Sequence, residues 1–177
     1  RASDGTVLGT FTVGSFPQGV AFDGANMWVA NNGDGTVTKL RASDGKVLGT
    51  FGVGSSPEGV AFDGANIWVT NSASASVTKL RAADGTVLGT FAVGAALYAA
   101  AFDGANIWVA NELSNNVTKL RASDGSVLGT FSVGTSPVAL AFDGANVWVA
   151  NAANNSNNVT KLRAADGKVL GTFAVGM

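Results

Sequence analysis

The chain has 177 residues with 11 basic and 12 acidic side chains, no His, no Cys and a formal net charge of −1. One compact core is enough at that length, burying roughly 70% of the surface an unfolded chain would expose. Charge this sparse and balanced favours neither nucleic acid nor an anionic membrane, no apolar run approaches the roughly 20 residues of a spanning helix, and the lack of Cys excludes a disulfide framework and thiolate chemistry.

The order along the chain is a single unit repeated. Each copy reads R-A-[SA]-D-G-x-V-L-G-T-F-x-V-G, a variable hexamer, A-F-D-G-A-N-x-W-V-[AT]-N, a variable loop and V-T-K-L. Copies begin at Arg1, Arg41, Arg81 and Arg121, and a partial one at Arg163, so the period is 40 residues, or 42 in the fourth copy. Such a period signals a stacked or radial repeat architecture.

The chain opens on Asp4-Gly5 and an expected outer strand over about Thr6–Val13. Asp-Gly between apolar runs marks a tight hairpin, because such turns need positive φ. The pair recurs twice per copy, at Asp23, Asp63, Asp103 and Asp143 and at Asp44, Asp84, Asp124 and Asp166. The runs between are rich in Val, Ile, Phe, Trp and Thr and lack a helical period. In the second unit they predict strand A over about Gly59–Phe62, B over Ile67–Asn71, C over Val77–Arg81 and D over Thr86–Val93. Strand A is rich in Gly and Ala, as suits an inner strand crowded at an axis. Strand B is apolar on both faces, so both need cover. The expected fold is therefore an all-β propeller of four-stranded antiparallel blades: one repeat domain over 1–177, with four blades and one extra outer strand.

The repeat A-F-D-G-A-N-I-W-V-T-N, preceded by V-G-S-S-P-E-G-V, resembles the YVTN/NHL-type propellers, and among them the virginiamycin B lyase-like repeats. The resemblance runs over the whole chain and implies the fold. The lyase-like enzymes depend on a histidine general base and bound Mg²⁺. With no His here, their activity does not carry over, and histidine triads and His-ligated zinc or haem are excluded as well. No catalytic residue, metal site or cofactor is expected.

The repeated carboxylates Asp23, Asp63, Asp103 and Asp143 read as turn caps rather than a calcium ring. Trp28, Trp68, Trp108 and Trp148, in the middle of strand B, read as blade-to-blade packing rather than an aromatic cage. Lys39, Arg41 and their copies alternate with Thr38 and Leu40 and read as a solvated flank. One disc face holds the near-invariant Asp-Gly turns. The other holds the variation, in the D–A hexamers and the B–C loops Asn32–Thr36, Ser72–Ser76, Glu112–Asn116 and Ala152–Asn158. Phe16, Gln18, Glu58, Tyr98 and Glu112 stand out there as candidate ligand contacts, since rigid scaffolds present recognition residues on such loops. Drift accounts for the same variation first, since looser loops tolerate change that tight turns do not, and selected binding is the alternative.

Residues 1–14 and 163–176 are near-copies, so two strands compete for the outer edge of one blade. Four blades are also few for a ring. The expected partner is a second copy, as a two-chain, eight-blade ring or a strand-exchanged assembly, with no nucleic acid. The expected function is a non-catalytic scaffold for binding and self-assembly, extracellular or periplasmic. The alternatives are a lyase-like enzyme and an engineered or excised propeller fragment.

Overall fold

A computed structural model describes residues 1, 3–152 and 157–176. Among these the regular structure is all strand, in four antiparallel four-stranded sheets. Blade 1 is β1 (Pro17–Phe22), β2 (Asn26–Asn31), β3 (Thr36–Arg41) and β4 (Val47–Gly52). Blade 2 is β5 (Pro57–Phe62), β6 (Asn66–Asn71), β7 (Ser76–Arg81) and β8 (Val87–Ala92). Blade 3 is β9 (Leu97–Phe102), β10 (Asn106–Asn111), β11 (Asn116–Arg121) and β12 (Val127–Ser132). Blade 4 is β13 (Pro137–Phe142), β14 (Asn146–Asn151), β15 (Asn158–Arg163) and β16 (Val169–Ala174). This is the propeller blade that the repeat predicts.

The first strands of the blades lie side by side as β1, β5, β9, β13, so they form the inner wall. The approach is close. A side chain on Gly59 would collide with the Tyr98 carbonyl and the Ala99 backbone of the next inner strand. No comparable contact joins β13 back to β1.

The core therefore lies between blades rather than within them. Trp28, Ala30 and Val37 of blade 1 pack on Val60, Ile67, Val69 and Leu80 of blade 2. The same pairing joins blade 2 to blade 3 and blade 3 to blade 4. The Phe of each outer strand clamps its junction. The Phe51 ring covers Gly85 of the next blade's turn so closely that no side chain would fit there.

Among the described residues neither end face meets another blade. Val20 of blade 1 is 57% exposed, whereas its counterpart Val60 is 9% exposed. Trp28, Trp68 and Trp108 are fully buried, whereas Trp148 is only half-buried. Four blades and three cores make an open arc.

The extra outer strand differs from expectation. Residues 3–16 contain no strand, so the described residues hold sixteen strands rather than the seventeen expected. The C-terminal copy, β16, pairs with β15, which leaves the N-terminal copy without an edge.

Candidate functional site

The two disc faces differ in chemistry. On the Asp-Gly face every turn is saturated internally. Asp63 Oδ1 accepts the Ala65 and Asn66 amides at 2.9 and 2.7 Å, and Oδ2 accepts Trp68 Nε1 at 2.8 Å. Asp23, Asp103 and Asp143 repeat this pattern. Burial pushes the Asp63 carboxyl upward, but the Trp68, Ala65 and Asn66 hydrogen bonds outweigh it and hold it below the usual carboxylate value. These aspartates cap their turns and also anchor the buried indole, a second role the sequence reading missed. At the other turns, the Thr86 amide and hydroxyl and then Arg81 hold Asp84 down to about 2. The Ser126 hydroxyl and amide and then Arg121 do the same for Asp124, also about 2. The Arg–Asp pairs themselves are about half exposed and contribute little.

The lysines are a correction. Lys39, Lys79 and Lys119 are each 7% exposed and line no solvated flank. Lys79 Nζ sits 5.0 Å from the Trp68 ring and donates to the Ala122 and Ser123 carbonyls of the next blade at 2.7 and 3.2 Å. Lys39 and Lys119 do likewise. The charge is buried because it is fully paired with carbonyl oxygens and an aromatic face. The strand register sets each lysine beside its aromatic partner, Trp28 opposite Lys39 and Trp68 opposite Lys79.

The variable face gathers three of the five candidates. Gln18, Glu58 and Tyr98 are the second residues of β1, β5 and β9 and line one open cleft of about 290 Å³ on the inner wall. Burial raises the Glu58 carboxyl. Glu58 Oε1 accepts Asn32 Nδ2 of the neighbouring blade at 2.7 Å, which fixes its direction. Gln18 and Tyr98 are exposed. The other two candidates lie elsewhere. Glu112 accepts the Ser136 hydroxyl at 2.8 Å, tying blade 3 to the loop entering blade 4. Phe16 is 75% exposed over Gly33 on the blade 1 loop, at a positive φ of 51°. The fourth variable loop falls partly on 153–156, outside the described residues. Among the described residues no group of three or more acidic side chains comes together to hold a metal ion.

No protein-family model matches the chain, and no curated protein matches it. Solved structures do. Hydrazine synthase of Kuenenia stuttgartiensis superposes with a TM-score of 0.83 at 22% identity, over 97% of this chain and 53% of that one. U3-55K superposes at 0.80 with 17% identity, over 91% of this chain and 52% of that one. A functionally unknown protein of Desulfotomaculum acetoxidans DSM 771 gives 0.78 at 17% identity, over 93% and 58%. The chain thus spans about half the length of the structures it matches. The likeness is one of fold: a β-propeller arc.

Proposed function

We propose that this chain is a non-catalytic scaffold of the YVTN/NHL type that binds a ligand on its variable face and self-associates, two chains completing an eight-blade ring. One observation carries the binding reading: the repeat frame is near-identical throughout, yet the positions that vary, Gln18, Glu58 and Tyr98, converge on one inner-wall cleft. The opposite face spends its polar groups internally on the Asp–Trp and Asp–Arg turns, leaving little to recognise a partner. Amide, carboxyl and phenol groups on a rigid inner wall suit a polar, hydroxyl-rich or peptide ligand.

The absent histidine argues against lyase chemistry. A screen of oligosaccharide and peptide arrays tests the reading, with wild type beside a Gln18→Ala/Glu58→Ala/Tyr98→Ala variant and an Arg81→Ala variant on the other face. Ligands should be retained by wild type and by the Arg81 variant, and lost by the triple variant. No cyclic depsipeptide or ester should be turned over. Equal capture by the triple variant, or turnover with Mg²⁺, would overturn it.

A further inference from the structure

The two end faces are the separated halves of a junction that the chain already builds three times. Blade 4 presents Trp148 and Phe173, with ring centroids 5.8 Å apart, as Trp28 and Phe51 are 5.6 Å apart at a closed junction. Blade 1 presents Val20, Met27 and Val29, the counterparts of Val60, Ile67 and Val69, which receive Trp28 at the next junction. The polar halves match as well. Lys161 lies 4.7 Å from the Trp148 ring, and among the described residues its ammonium reaches no carbonyl. The Ala42 and Ser43 carbonyls, which stand where Ala122 and Ser123 receive Lys79, receive no lysine there.

The N-terminal segment lies over the blade 1 half. Its Phe11 ring covers Gly45 as Phe51 covers Gly85. Gly14 N donates to Asn31 Oδ1 at 3.1 Å as Gly54 N does to Asn71 Oδ1 at 3.0 Å. Beneath Phe11 and Val13, a cleft of about 280 Å³ lined by Val20, Met27, Val29 and Leu40 lies where a preceding blade's tryptophan would sit.

We infer that a second copy of this chain docks its blade 4 onto blade 1, with its Trp148 in that cleft and its Lys161 on the Ala42 and Ser43 carbonyls, and that residues 1–14 are a removable cover of this docking face. The inference rests on the self-association reading and names its surface. Phe11 and the incoming Phe173 claim the same place over Gly45. The incoming Phe173 belongs to a strand paired at five registered positions with β15. Phe11 belongs to a segment with no strand pairing, so the cover yields. The contact is head to tail, and two such contacts related by a twofold axis close a ring.

Sedimentation over a concentration series tests this with the full chain, the chain lacking residues 1–14, Phe11→Ala and Met27→Glu. Removing the cover, by deletion or by Phe11→Ala, should tighten association by roughly tenfold, the scale of re-exposing one aromatic contact. Met27→Glu, which puts a carboxylate on the docking face, should weaken association by at least about tenfold and leave thermal unfolding of the monomer unchanged. If Phe11→Ala and the deletion leave association unchanged or weaken it, the cover is wrong; weakening would mean that the N-terminal copy pairs with the partner's β15 instead. If Met27→Glu changes nothing, the docking face is wrong. Loss of dimer with Met27→Glu but no effect of the deletion would keep self-association and remove only the cover.

Discussion

At the scale of single residues, the same side chain has different consequences in the middle of the arc and at its end. Trp68 is buried on both sides, donates to Asp63 and carries Lys79 on its ring. Trp148 makes the same internal contacts but has no neighbouring blade on its outer face. Trp68→Phe should therefore cost about 2–4 kcal/mol from lost packing and an unpaired carboxylate oxygen, and Trp148→Phe roughly half that, by urea unfolding of the monomer. Acid acts through the same aspartates. The folded values of Asp23, Asp63 and Asp103 lie below the ordinary one, so the stability they confer is complete above about pH 4 and is lost as pH falls through the folded values. The melting temperature should be flat from neutral pH to about pH 4 and fall steeply toward pH 2. A decline beginning near pH 6 would show that other groups control it. The turn role of these aspartates was legible because Asp-Gly has a local meaning. The burial of Lys39, Lys79 and Lys119 was not legible, because alternation along a strand assigns its second face to solvent. In an interior blade both faces are covered, so alternation no longer separates core from surface.

At the scale of elements, the strands fall where turn chemistry and apolar runs place them. Apart from the missing N-terminal strand, the widest difference is strand A, which reaches back to Pro57 across an irregular register between Pro57 and Val60. The contest between the two outer-strand copies could not be read from residue type, because their sequences are near-copies. Chain connection decides it. The C-terminal copy returns to β15 through the short turn between Arg163 and Val169, whereas the N-terminal copy would have to return across nearly the whole arc. That difference in loop closure is about 3 kcal/mol, several times any difference between the two sequences. Amide hydrogen exchange should show it directly. Residues 169–174 should be protected to near the stability of blade 4, and residues 6–13 should exchange orders of magnitude faster despite the matching sequence. Equal protection of both would mean that the N-terminal copy has found a strand partner.

For the whole molecule, the period alone carried the architecture, because a 40-residue unit of four short strands cannot bury both faces except against its neighbours. The number of blades in the closed ring was not legible, since identical repeats carry no mark of where a circle ends. Among the described residues four blades make three cores and leave matching halves of a fourth at opposite ends. The candidate site was legible only in part. Variation picked out Gln18, Glu58 and Tyr98, but only the inner wall showed that these three share one cleft while Glu112 ties two blades together. The most direct test of the open arc is the solution mass of the 17.7-kDa chain over a concentration series, with tryptophan emission followed in parallel. The open arc predicts a concentration-dependent shift to a two-chain species, with Trp148 losing its solvent exposure as the second chain binds. A single-chain mass at every concentration, with Trp148 already as shielded as Trp28, Trp68 and Trp108, would show that the four blades close on themselves and contradict it.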